Sequence, residues 1–272
     1  MLEVRVQQAV AWLRDADGLL VTAGAGMGVD SGLPDFRSNA DLWCAYPALA
    51  DAKRDFQSIV NPRAFEDEPE LAWGFYGHRL QLYRETEPHP GSAILKRWSE
   101  RAERGAFVFT SNVDGQFQRA GFTEDRIEEH HGSIHYLQCT EPCSSHIKSA
   151  ADFVPQVDER VCRHTGPLPR CKHCGAVSRP NILMFWDSAW LSSRADAQAA
   201  RRVLWLASVK RLIVLEVGAG TALPTVRRFS ERHGPRVIRI NAREPLIDHA
   251  IGIGLEGRAL DVLTLIDAAL GA

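Results

Sequence analysis

Gly18-Leu19-Leu20-Val21-Thr22-Ala23-Gly24-Ala25-Gly26-Met27-Gly28 decides the fold class: an apolar run of strand length passes directly into closely spaced glycines. Such a run reads as a buried strand feeding a loop. Three more runs resemble it, at Ala106 to Thr110, Arg211 to Val217 and Arg236 to Ile240. Helical patterns separate them, at Ala72 to Arg84, Ala195 to Ala207 and Leu260 to Ala269. Val6, Val10 and Leu13 put an amphipathic helix over 3–15, ahead of the first run. Short buried strands alternating with helices predict an α/β fold, a parallel sheet with helices on both faces. Leu33 to Asn61 is weakly patterned and reads as a mobile loop or a few short helices. There is no internal repeat.

The rest of the composition narrows the class. The chain has 272 residues, 45% hydrophobic and 24% charged, enough apolar content to bury a core. Lys plus Arg is 32 against 34 Asp plus Glu, a formal net charge of -2, which gives no electrostatic case for a nucleic-acid partner. No run approaches the roughly 18 apolar residues that cross a bilayer. Met1-Leu2-Glu3-Val4-Arg5 has neither the basic start nor the apolar stretch of an export signal. The expectation is a soluble, cytoplasmic protein with no membrane partner.

The stretch 133–180 interrupts the alternation. It has no strongly periodic helix, and it carries Cys139-x3-Cys143 and Cys171-x2-Cys174. Four thiolates in two close pairs suit the closed tetrahedral shell of structural zinc, the alternative being two unrelated pairs of buried thiols. His146, His164 and His173 lie close enough in sequence to replace one cysteine, whereas Cys44 and Cys162 have no partner in this arrangement. A segment with so little core of its own needs a metal or its parent domain to hold it. We therefore expect a small metal-binding insert in a larger α/β domain.

Four further stretches carry chemistry. Gly24 to Gly32 lets backbone N–H groups approach a pyrophosphate, although Val29 stands where the usual dinucleotide fingerprint has glycine. Leu33-Pro34-Asp35-Phe36-Arg37 then sets an acid, an aromatic ring and an arginine at the loop's mouth, where arginine suits a phosphate. Thr110-Ser111-Asn112-Val113-Asp114-Gly115 ends the second strand, where ligands of open α/β sheets bind; its polar side chains suit a carboxamide and ribose hydroxyls, or simply cap the next helix. His130-His131-Gly132-Ser133 offers a base for work near neutrality, or a structural imidazole. Leu215-Glu216-Val217-Gly218-Ala219-Gly220-Thr221, with Asn241 after the following strand, reads locally as the nucleotide loop of an S-adenosylmethionine methyltransferase. That reading leaves the first glycine loop and the cysteines without a role.

Taken in order, these motifs resemble the sirtuins over almost the whole chain. Gly24 to Arg37 is similar to the family's first cofactor loop. Ser111-Asn112-Val113-Asp114 stands where the family has Gln-Asn-Ile-Asp, and His131-Gly132 matches its His-Gly. The four cysteines match its zinc module, Arg179 to Phe185 its substrate strand, Asn241 its adenosine-ribose asparagine, and Gly257 to Leu270 its closing helix. The resemblance implies a Rossmann-like NAD domain over 1–132 and 181–272 with a zinc module over 133–180. A further helical part of the small domain is expected within 38–90. It implies an NAD-dependent protein lysine deacylase whose acyl oxygen attacks C1′ of the nicotinamide ribose. His131 is then the base, acting with Asn112 and Asp114; the products are nicotinamide, free lysine and O-acyl-ADP-ribose. Contacts to NAD are expected from Gly24, Ala25, Gly26, Asp35, Phe36, Arg37, Ser111, Asn112, Val113, Asp114, Gly218, Ala219, Gly220 and Asn241. Contacts to the acyl-lysine peptide are expected from Tyr76, Arg79, Phe185, Trp186 and Asp187. Zinc would sit on Cys139, Cys143, Cys171 and Cys174.

Tyr76-x-x-Arg79 resembles the pair with which desuccinylating members hold an acidic acyl group; on spacing alone it is a core tyrosine beside a solvated arginine. Departures from the family pattern are Ser111 for glutamine, Ser38 for glycine, Gly218-Ala219-Gly220 for Gly-Thr-Ser, and Trp186-Asp187 for Gly-Glu. Asp35 stands where desuccinylases commonly carry threonine. Two other readings stay open: NAD cleavage for another acceptor or water (an ADP-ribosyltransferase or glycohydrolase), and a non-catalytic NAD or ADP-ribose binding module.

Overall fold

The structure is a computed structural model that describes residues 2–35 and 39–271. Its strands, in chain order, are β1 Gly18–Ala23, β2 Ala106–Thr110, β3 Ile127–Glu129, β4 Gly132–Cys139, β5 Lys148–Ser149, β6 Val157–Asp158, β7 Arg163–His164, β8 Ser178–Ile182, β9 Leu212–Val217, β10 Val237–Asn241 and β11 Gly252–Glu256. Six of them form one parallel sheet in the order β11-β10-β9-β1-β2-β3. All four strands expected from the apolar runs lie in it.

Successive side chains of a strand face opposite ways, and β1 uses both faces. Leu19, Val21 and Ala23 join a core closed by helices Leu2–Asp15, Pro90–Arg101 and Ala259–Gly271, through Val6, Val10, Leu95, Trp98, Leu263 and Ile266. Leu20 turns the other way, to Phe107, Phe109, Val214, and Trp205 and Val226 of helices Ser193–Ser208 and Thr225–Arg232. The chain moves outward from β1 through β2 to β3, then returns to β9 on the other side of β1. The strand order reverses there, and loops at the carboxyl ends of β1 and β9 flank a crevice.

A second layer grows from the end of β3. β4 pairs antiparallel with β5 and β8, and β6 pairs with β7. The weakly patterned stretch forms helices Asn39–Ala45, Pro47–Asp51 and Phe56–Ile59, followed by Arg63–Asp67 and the long helix Pro69–Glu85. One apolar cluster unites Trp73, Phe75, Tyr76 and Leu80 of that helix with Ile134, Leu137, Ile182 and Met184. At Gly74 the helix meets backbone: a Cβ there would lie 2.0 Å from the Cys162 carbonyl oxygen.

Candidate active site

Three loops meet above the crevice. Gly24 N–H donates to Val217, Gly26 N–H to Gly218, Gly218 N–H to Ile240 and Ser111 N–H to Ala23, all to carbonyls. The loops touch backbone to backbone: a Cβ on Gly24 or Gly26 would lie 2.8 Å from Gly218 or Ala219 main-chain atoms, and Gly218 takes a positive φ of 64°. Asn112 Nδ2 donates to the Gly24 carbonyl at 3.0 Å, tying the loop after β2 to that after β1. Asn241 Nδ2 donates to the Ala219 carbonyl at 2.8 Å, while its Oδ1 accepts from Arg243 and Glu244 N–H.

Two adjoining cavities open here. One, about 440 Å³, is walled by Gly24, Ala25, Gly26, Asp35, Ser111 and Gly218 to Leu223. The other, about 340 Å³, brings Ala25, Asp35, Ser111, Asn112, Val113, Asp114 and His131 together with Tyr76, Arg79 and Phe185. Phe36 and Arg37, two expected cofactor contacts, and Ser38 lie outside the described residues. Asn241 lines neither cavity and buttresses the wall at Ala219.

His131 stands between β3 and β4, where Gly132 turns the chain at φ 78°; a Cβ there would lie 2.1 Å from the Asn181 carbonyl oxygen. Burial pushes the imidazole down to about 4; His130 acts in the same direction and a hydrogen bond with the Ser111 backbone opposes it. At pH 7 the ring is neutral and can accept a proton. Asp114 is raised to about 6, chiefly by burial, with Glu129 adding and the Gln116 N–H and Arg79 opposing. Its Oδ1 accepts the Gln116 N–H at 2.9 Å.

The wall opposite the loops is helix Pro69–Glu85. Tyr76 is 1% exposed, and its hydroxyl is buried without a hydrogen-bond partner among the described residues. Arg79 lies over the rings of Phe75, Tyr76 and Tyr83, at 5.2, 6.0 and 5.2 Å. Phe185 N–H donates to the Val60 carbonyl, fixing the segment after β8 along the cavity. The cavity also takes residues the sequence reading passed over, among them Phe56, Val60 and Tyr83. Tyr83 had one legible signal, its place four residues after Arg79 on the same helix face.

Trp186 and Asp187 line a different hollow, about 460 Å³, with Asn61, Pro62, Arg63 and Glu66. Trp186 is 73% exposed at φ 55°, a backbone region that favours glycine. The Asp187 side chain is fully buried in an ion pair with Arg179 at 2.8 Å, and its oxygens also accept the Met184 and Ala189 N–H groups. Asp187 thus pins the turn that follows β8.

At the far end of the β4–β8 ladder the four cysteines converge. Cys139 and Cys174 sulfurs are 3.5 Å apart, Cys143 and Cys171 3.6 Å, and all four lie within 4.8 Å of one another. Sulfurs around a tetrahedral zinc at about 2.3 Å lie about 3.8 Å apart, so the cluster fits that ion. His146, His164 and His173 are outside the cluster.

The Sir2 family model matches residues 24–204. NAD-dependent protein deacylase 2 of Pyrobaculum aerophilum is 30% identical over 248 residues, 90% of this chain and 87% of that protein. A probable bifunctional ADP-ribose hydrolase/ADP-ribosyltransferase of Fusarium oxysporum f. sp. cubense is 31% identical over 258 residues, 90% of this chain but 42% of that protein. Among solved structures, a Sir2 homolog–NAD complex superposes with a TM-score of 0.74 at 21% identity, over 97% of this chain and 93% of the other.

Proposed function

The chain belongs to the Sir2 family, the sirtuins, and from that premise we propose that it is an NAD-dependent protein lysine deacylase. The observation that carries the reading is the single cavity in which His131, Asn112 and Asp114 face the Tyr76–Arg79 wall, beside the glycine cradle. Residues 1–132 and 181–272 form the Rossmann-like NAD-binding part in this reading. Residues 133–180 are the zinc module, joined by helices from within 38–90. Free thiols, including the exposed Cys44, suit a reducing compartment, the cytoplasm.

NAD, when bound, supplies an electrophilic ribose C1′ by loss of nicotinamide and carries away the acyl group as O-acyl-ADP-ribose. The Gly24, Gly26 and Gly218 amides are spent on binding the loops to one another, so the diphosphate lies against Ala25, Ala219 and Gly220 of the same cradle, and the backbone contact between the loops leaves no room for larger residues. Asn112 is already oriented by Gly24, so little is lost in ordering it when it binds ribose. Asp114 serves the carboxamide. His131, neutral at pH 7, takes the proton from a ribose hydroxyl. Cys139, Cys143, Cys171 and Cys174 hold zinc away from the chemistry.

Arg79 and the unpartnered Tyr76 hydroxyl favour an acyl group ending in a carboxylate, with succinyl removed at least as well as acetyl. NAD and matched acetyl- and succinyl-lysine peptides, with mass analysis of the products, test both statements. O-acyl-ADP-ribose is expected; free ADP-ribose as sole product would move the assignment to an NAD glycohydrolase, and an ADP-ribosylated protein to an ADP-ribosyltransferase. Acetyl strongly preferred, with Arg79→Met changing neither peptide, would remove the acidic-acyl reading.

A further inference from the structure

Tyr76, Arg79 and Tyr83 stand at i, i+3 and i+7 of helix Pro69–Glu85, a stripe about 10 Å long down one face. All three line the cavity, and both tyrosines are buried, Tyr83 at 4% exposure. Arg79 Nε donates to the Tyr83 hydroxyl oxygen at 2.9 Å, and Nη2 donates to the same atom. Those two N–H groups point the same way, and together they form the edge with which a guanidinium usually grips a carboxylate. Here a neutral phenol oxygen occupies that edge. An oxygen that accepts twice from a cation keeps its own proton to donate, and the cation makes that proton a stronger donor.

We propose that Tyr83 is a specificity-determining residue: it fixes the Arg79 guanidinium by its Nε–Nη2 edge and donates its own O–H to the carboxylate of an acidic acyl group. Tyr76, whose hydroxyl has no hydrogen-bond partner among the described residues, stands one turn before Arg79 on the helix, as Tyr83 stands one turn after it, and donates from there. The acid is then held between two phenols as well as by the guanidinium charge. Two added donors matter because Asp114 acts electrostatically on Tyr83 and disfavours a second carboxylate nearby. This inference rests on the deacylase reading for its substrate class, and it assigns a residue outside the Tyr76–Arg79 pair.

Tyr83→Phe keeps the ring and its contact with Arg79 and removes one hydroxyl; Tyr76→Phe is the matching variant. We expect Tyr83→Phe to lower the succinyl-to-acetyl ratio of kcat/KM about tenfold or more, with the change in KM of the succinyl peptide. Titration calorimetry of the succinyl- and acetyl-lysine peptides without NAD should give the same ratio in Kd. An unchanged ratio overturns the proposal. So does a raised one, which would mean that Tyr83 competes with the acid for Arg79. If the parent turns over neither peptide while the Kd ratio falls, the deacylase reading fails and the role of Tyr83 stands. No turnover and no binding overturns both.

Discussion

A buried imidazole held at about 4 is neutral through the whole physiological range, which is the state a proton acceptor needs. His131→Ala should lower deacylation by about 10²–10⁴ and leave the fold intact. In the NMR spectrum of the parent, the imidazole signal missing from that variant should titrate near pH 4. A midpoint near the ordinary 6.5 would contradict its burial. Because the folded value lies below the unfolded one, His131's contribution to stability is present above about pH 6.5 and is lost as pH falls toward about 4. His131, Asn112 and Asp114 stood out as candidates through the family resemblance of their motifs, since their position after strands left helix capping and a structural imidazole equally open. Tyr83 was legible only as a tyrosine four residues after Arg79, and nothing local marks it as the partner of that arginine. Asp187 was read as a substrate contact because its partner, Arg179, is visible only once β8 and the turn after it are folded together.

Helix Pro69–Glu85 has a glycine at 74 where propensity alone would prefer alanine by about 1 kcal/mol. The approach of the Cys162 carbonyl reverses the sign. Gly74→Ala should destabilise the protein by about 1–3 kcal/mol in urea unfolding, through overlap with residues 162–163. A stabilised variant would show that this contact yields easily. In the six-stranded sheet the four strands with continuous apolar runs were legible, and the other two were not. β3 reads Ile127-Glu128-Glu129, and its buried carboxylates make sense only with Arg202 and Arg194, which arrive on a helix far downstream. β11 reads Gly252-Ile253-Gly254-Leu255-Glu256, a loop-like composition. Its glycines are there because the backbone is crowded: a Cβ at 254 would lie 1.9 Å from the Pro245 carbonyl oxygen.

Across the molecule, the ladder of β4 and β8 links the metal cluster to the chemistry. His131 and the Leu183–Phe185 segment sit at one end, where Leu183 N–H donates to the His131 carbonyl. Cys139 lies at the other end, opposite Ser178, with Cys171 and Cys174 shortly before β8. Cys171→Ala should abolish stoichiometric zinc in elemental analysis and raise KM for the peptide more than for NAD. Undiminished zinc would remove Cys171 from the ligand set. The alternation of strands and helices and the clustering of cysteines made this architecture legible. The helical contribution from within 38–90 was expected; how much apolar core 39–67 supplies beside 133–180 was not legible, because those residues form short helices without a clear period.

A parallel sheet ends in bare main-chain groups, which invite strands from other molecules. At β3 that invitation is withdrawn from within. The Glu129 N–H, which a neighbouring strand would otherwise engage, is taken at 3.0 Å by the side-chain oxygen of Gln198, itself 1% exposed. Helix Ser193–Ser208 thus takes, at this position, the place that a seventh strand would fill.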